Sequence, residues 1–297
     1  PVPSFSLRIP SGASIPGSSV LYPWIPKEGF AMSVSHHSRR AARRVLGLTL
    51  LACLAVGSAA FFLSHTHAVP SASAASIPAD STENGLLTAA QAQAMLEDPR
   101  MVLVNHTNKM PDDYTFTTKA CGSKTAVNKE LQTEAADAFL QMQAAAAKDG
   151  VTIWMQSGYR SVDYQAGLYE RKTQYFRNKG YGEAEAKEKA AAIVNPPGYS
   201  EHNCGLAADL NCPAYTSLDT GFEKTDAFRW LCAHAEQYGF ILRYPKDAEA
   251  VTEITYEPWH WRYVGPENAV LINQSGLCFE DAVAALQKLA AGQPITG

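Results

Sequence analysis

Three short stretches of this 297-residue chain carry side chains that could do chemistry together. The first runs Ser200-Glu201-His202-Asn203-Cys204-Gly205-Leu206-Ala207-Ala208-Asp209, and the second Tyr256-Glu257-Pro258-Trp259-His260-Trp261-Arg262-Tyr263. Two imidazoles and a carboxylate suit a catalytic zinc, which takes three protein ligands and keeps a further position for water. Taken singly, neither stretch is diagnostic: such spacings more often mark a capping Asp or a hydrogen-bonded core His. Asp209 stands apart because it interrupts an apolar LAADL segment, where a carboxylate is costly unless paired or metal-bound. Gly205, Ala207 and Ala208 leave the backbone around it uncrowded. Pro258 bends the chain between Glu257 and His260, so both side chains can converge; in a straight strand their odd offset would separate them. The third stretch, Gln156-Ser157-Gly158-Tyr159-Arg160-Ser161, follows an apolar run. Arg160 there could grip a carboxylate or steady a developing oxyanion, although alone it reads as a surface Arg on a turn.

The surrounding pattern says what must hold these stretches. Val151–Met155 reads as a strand leading into the third stretch, and Leu206–Leu210 as a small-residue strand ending the first. Phe240–Tyr244 and Glu253–Glu257 are expected as facing strands, with a further strand at Val102–Asn105. Helices are expected over Leu86–Glu97, Lys129–Lys148, Val162–Lys179, Glu183–Val194, Pro266–Asn273 and Phe279–Ala291. Another should run from a Thr225 cap to Tyr238, with Gly239 as its stop. Strands and helices do not alternate regularly, so the expected class is α+β, a mostly antiparallel central sheet flanked by helices.

Hydrophobic residues make up 46% of the chain and charged residues 18%, which excludes a disordered, collagen-like or coiled-coil protein. A net charge of -4 argues against a nucleic-acid partner. That charge is unevenly spread. Residues 1–76 carry six basic side chains and one acidic, leaving 19 basic and 28 acidic residues beyond them, a net of −9. Directly after RRAARR, nineteen uncharged residues run from Val45 to Leu63. As a helix they would span roughly 28 Å, close to the hydrocarbon thickness of a bilayer. Basic residues before the span predict a cytoplasmic N-terminus with the remainder outside. The span reads either as an uncleaved anchor or as a signal peptide cleaved near Ala72-Ser73-Ala74. The expected organisation is a disordered basic head at 1–44, a membrane segment at 45–63, a flexible linker at 64–85 and a catalytic domain at 86–292. Within the head, residues 1–31 read as sequence upstream of a natural start at Met32 or as a short disordered tail.

Together the three stretches resemble the VanY-type zinc D-alanyl-D-alanine carboxypeptidases, related to VanX-like D,D-dipeptidases and L,D-carboxypeptidases. The likeness runs through SGYRS-x-x-x-Q (Ser157–Gln165), SEHNCGLAAD (Ser200–Asp209), YGFILRYP (Tyr238–Pro245) and YEPWHWRYVG (Tyr256–Gly265), and covers Met101 to Leu289. It implies a hedgehog/VanX-like fold and one zinc ion per chain on His202, Asp209 and His260. By the same resemblance Glu257 is the catalytic base and Arg160 stabilises the transition state. Ser157, Tyr159 and Gln165 would bind the peptide end, while Ser200 and Trp259 support the pocket. The implied substrate is a peptidoglycan stem peptide, or its lipid-linked precursor, ending in D-Ala-D-Ala. The expected protein is a monomer at the extracytoplasmic membrane face or secreted to the cell wall. The alternatives are an L,D-carboxypeptidase, a D,D-dipeptidase, an endopeptidase or a non-catalytic wall-binding module, the last disfavoured because all four key residues are present.

Cysteine usage raises separate questions. Cys204 sits inside the first motif where a polar or small residue is expected, and should point away from the metal. Besides Cys53, five cysteines (121, 204, 212, 232 and 278) allow fifteen ways to form two bridges. A straight strand over 204–212 would hold its ends roughly 26 Å apart, far beyond disulfide reach. Cys232 and Cys278 are the pair expected to staple the C-terminal layer.

Overall fold

Side-chain alternation along two short strands decides which residues face the core and which face the site. The computed structural model describes residues 87–124 and 126–293. The head, membrane segment and linker expected at 1–44, 45–63 and 64–85 lie outside them. The central sheet has four strands: β3 (Trp154–Ser157), β4 (Ala207–Asn211), β5 (Phe240–Leu242) and β6 (His260–Tyr263). Their spatial order is β3-β4-β6-β5, and all neighbours are antiparallel. A smaller antiparallel pair joins β1 (Thr118–Ala120) to β2 (Glu130–Gln132). The expected α+β class is therefore what the chain adopts.

Ala208, Leu210, Trp261 and Tyr263 belong to one buried cluster, completed by Phe139 and Met142 of α2 (Thr133–Lys148) and Leu231 of α5 (Asp226–His234). With period two, Asp209, His260 and Arg262 must point to the opposite face. Register then pairs Asp209 with His260 on one side and with Ser157 on the other, a single row across three strands. A second cluster is built by α1 (Ala89–Glu97), α7 (Pro266–Ser275) and α8 (Phe279–Ala290), through Met95, Ile272, Phe279 and Leu286. The remaining helices are α3 (Val162–Asn178), capped by Ser161, α4 (Glu183–Ala191) and the single turn α6 (Glu249–Thr252).

Several expected elements differ: the strand expected at Val151–Met155 is shifted to Trp154–Ser157, and the helix expected up to Tyr238 is α only to His234 and continues as a 3-10 turn. Val102–Asn105 is not a strand, because the Val102 carbonyl accepts from the Arg262 guanidinium at 2.9 Å instead of from a sheet neighbour. Glu253–Glu257 is not a strand either. Glu253 turns the chain at φ 58, and β6 occupies the edge of β5 that this segment would have needed. The helix expected from Lys129 starts only at Thr133. The Asn128 and Glu130 carbonyls are already engaged by Gly158 N (2.9 Å) and Tyr159 N (2.6 Å). The Thr225 cap, with its side chain accepting from Phe228 N, and the Gly239 stop at φ 81 are as expected.

Cys232 and Cys278 do not form the expected staple. Both are free thiols: Cys232 packs into the cluster under the sheet, whereas Cys278 caps α8 at the other cluster. Among the described residues no single helix is long and apolar enough to cross a membrane.

Candidate metal centre

β4 and β6 deliver two of the candidate ligands by register alone, and a 3-10 turn (Glu201–Cys204) delivers the third, His202. That turn is sewn to the loop after β3. Arg160 N donates to the His202 carbonyl (2.9 Å), and Asn203 Nδ2 donates to the Arg160 carbonyl (2.7 Å). Gly205 ends the turn in the left-handed region at φ 69, where a Cβ would lie 3.0 Å from Phe116.

His202, Asp209 and His260 are all buried, and one ligand atom from each lies within 4.8 Å of the others. His202 Nε2 is 3.3 Å from Asp209 Oδ1, and His260 Nδ1 is 3.4 Å from the same oxygen. Two ligands about 2.05 Å from a tetrahedral zinc would sit roughly 3.3 Å apart, so these separations fit that ion. The protonation pattern fits too. His202 Nδ1 lies 2.7 Å from the Gly158 carbonyl, which can only accept, so Nδ1 carries the proton and Nε2 the lone pair. Nε2 is buried without a hydrogen-bond partner, its lone pair facing a carboxylate. A cation between them would make that arrangement favourable.

The electrostatics of the site are polarised. Burial and the neighbouring Arg160 push His202 down to about 4, keeping it neutral. Burial would raise Asp209, but His202 and Arg160 hold it well below the usual carboxylate value. Its Oδ2 accepts from Arg160 Nη2, leaving Oδ1 toward the histidines. Burial opposes a charged His260, yet Asp209, Glu201 and Glu257 outweigh it and raise the imidazole to about 10. A site that holds a proton so strongly is a site short of positive charge. Glu257, whose Oε2 is 3.5 Å from His260 Nδ1, is shifted upward by burial, with His260 opposing.

A cavity of about 320 Å³ opens over this cluster, bordered by Arg160, Gln165, Ser200, Glu257 and Trp259. Gln165 is anchored through Nε2 to the Asn195 carbonyl (2.7 Å), and its Oε1 has no partner. Ser157 does not border the cavity; its hydroxyl accepts from Arg160 Nε at 3.0 Å and aims the guanidinium. Tyr159 is not brought to the metal cluster. Its ring meets Phe116 at 5.4 Å and borders a separate depression with Asn128 and Lys129. Cys204 turns away, its thiol donating to the Glu201 carbonyl at 2.9 Å.

Sequence reasoning missed Tyr244, whose ring lies 4.8 Å from that of His260, and the buried set Glu201, Arg243 and Arg262. The signal was the one that found Asp209: Arg262 within β6 and Arg243 directly after β5 lie among apolar and aromatic residues, where a charge demands a partner.

Sheet, cluster and adjoining carboxylate form, among the described residues, one His/Asp/His centre of the kind a metallopeptidase uses. The family model described as VanY: D-alanyl-D-alanine carboxypeptidase matches residues 128–266. A D-alanyl-D-alanine carboxypeptidase of Enterococcus faecalis is 36% identical over 203 residues, which is 68% of this chain and 72% of the relative. The chain belongs to the VanY family of D-alanyl-D-alanine carboxypeptidases. A crystal structure of the vancomycin resistance D,D-pentapeptidase VanY in complex with Zn(II) is 34% identical, with a TM-score of 0.55 over 62% of this chain and 99% of that one. The LdcB LD-carboxypeptidase structure is 33% identical, with a TM-score of 0.54 over 69% and 92%.

Proposed function

We propose that this chain removes the terminal D-Ala from peptidoglycan stem peptides ending in D-Ala-D-Ala, as a zinc-dependent D,D-carboxypeptidase. The observation that carries the reading is a buried His202/Asp209/His260 cluster with Glu257 and Arg160 on the wall of one open cavity. His202, Asp209 and His260 would hold a zinc ion, which would supply Lewis acidity toward the scissile carbonyl and a bound water. Glu257 takes the proton from the attacking water and returns it to the leaving amine, a role suited to a carboxylate whose burial raises its proton affinity. Arg160, held by Ser157, offers a guanidinium to the developing oxyanion. Gln165, Ser200 and Trp259 shape the part of the cavity that would receive the peptide end. The charge-free run at 45–63 behind its basic flank supports anchoring at the outer membrane face, where such a substrate is found. We read the protein as a monomer.

Mass spectrometry of defined muropeptides after incubation with the purified chain tests this reading. Loss of one D-Ala, abolished by a chelator and restored by zinc, is expected. Release of D-Ala-D-Ala as a dipeptide, or cleavage only of tetrapeptides ending in a single D-Ala, would assign a different specificity. Glu257→Gln is expected to retain zinc and to lose at least about 10²-fold in turnover. Full activity in that variant would remove Glu257 from the base role.

A further inference from the structure

The two imidazoles are steered by different means. His202 is fixed by a backbone carbonyl, but His260 has no such partner. Its Nε2 is buried, makes no hydrogen bond, and faces Glu201 Oε2 across 3.6 Å. That oxygen is also buried and unpartnered. The other oxygen, Oε1, accepts from Arg243 Nε and from Arg262 Nη1, both at 2.7 Å. Glu201, Arg243 and Arg262 are each 0% exposed. Arg243 continues to Glu280 Oε2 at 2.8 Å, and Arg262 Nη2 to the Arg100 and Val102 carbonyls.

Two orphaned polar atoms facing each other in a dry interior satisfy one another with a shift of a few tenths of an ångström, and each left unmet is costly. The carboxylate is clamped by two arginines and the imidazole begins a sheet strand, so neither can turn to another partner. We propose that Glu201 is a positioning residue for the metal centre: Oε2 accepts the Nε2 proton of His260, which fixes the tautomer and leaves Nδ1 as the ligand atom. This rests on the reading of His202, Asp209 and His260 as a zinc site. A carboxylate behind a ligating imidazole typically contributes 10–100-fold in metal affinity. Gln cannot take its place. Its amide group would confront either the two guanidinium groups or the Nε2 proton, donor against donor.

The test measures zinc dissociation constants of the full chain by competition with a chromophoric chelator. Glu201→Gln and Glu201→Asp, the latter keeping the charge beside the arginines, are each expected to weaken binding about 10–100-fold. Glu280→Gln perturbs the same arginine cluster without touching His260 and should leave zinc affinity within about twofold of wild type. Equal losses in the Glu201 and Glu280 variants would mean that Glu201 acts only through the fold, overturning the proposal. So would wild-type affinity in both Glu201 variants. Should these variants not fold, histidine NMR of the zinc-loaded wild type decides: an exchange-protected proton on His260 Nε2 is expected, and a proton on Nδ1 overturns the assignment. A wild-type chain that takes up no zinc would instead overturn the metal centre itself, and this inference with it.

Discussion

His202 and His260 titrate in opposite directions, and their sum sets the pH response of the metal-free protein. His202 falls from an ordinary 6.5 to about 4, so between those values the unfolded chain binds a proton that the folded chain refuses. Stability therefore rises with pH across that window. His260 rises from 6.5 to about 10; its contribution is complete below 6.5 and is lost as pH climbs toward 10. Thermal melts of the chelator-treated chain should therefore show a maximum Tm near pH 6.5. Zinc-loaded protein, whose His260 Nδ1 has exchanged a proton for the metal, should keep its Tm on the alkaline side. A metal-free Tm that climbs steadily to pH 9 would contradict the assignment for His260. Asp209 was legible at this scale because one carboxylate in an apolar strand is conspicuous. Glu201 was not: between Ser200 and His202 nothing local distinguishes it, and its arginines arrive from 42 and 61 residues away.

Among the elements, the loop after β3 positions more of the site than any strand. Gly158 makes this possible. Its carbonyl fixes His202, its amide binds Asn128, and a Cβ there would lie 2.2 Å from the Glu130 carbonyl oxygen. Gly158→Ala must push β2 and the loop apart, at about 1–3 kcal/mol. A lowered Tm together with weaker zinc binding is expected by calorimetry, since the shift moves the backbone carbonyl of position 158 away from His202. An unchanged zinc affinity would show that this carbonyl does not matter. The helix and strand cores were readable from periodicity and caps, as with Ser161 and Thr225. Two of the errors share one cause: at Val102 and Glu130 the backbone bonds to distant partners (Arg262 and Tyr159), which no local window contains. A third, at Glu253–Glu257, arose because β6 takes the edge of β5.

Across the whole molecule, two buried clusters replace covalent bracing. All five cysteines of the described residues are free, and burial raises Cys121 and Cys232 to about 12 and Cys204 to about 11. Alkylation without reductant should label these five only slowly in the native chain and fully after denaturation. A Cys232–Cys278 disulfide peptide in a non-reducing digest would contradict the structure. Spacing alone suggested that staple because distance along the chain does not reveal that Cys232 packs under the sheet while Cys278 sits at the start of α8 with its thiol toward Asp281.

One feature of the sheet bears on how the metal comes and goes. Asp209 and His260 lie on β4 and β6, the two inner strands, whose backbones are paired on both sides. Inner strands open only with most of the fold, whereas the cavity over the cluster is open to solvent. Ion exchange and unfolding are therefore separate events with separate barriers. A chain depleted of zinc is therefore expected to keep its architecture and regain the ion without refolding, so that metal supply alone would switch activity on and off while the protein itself persists.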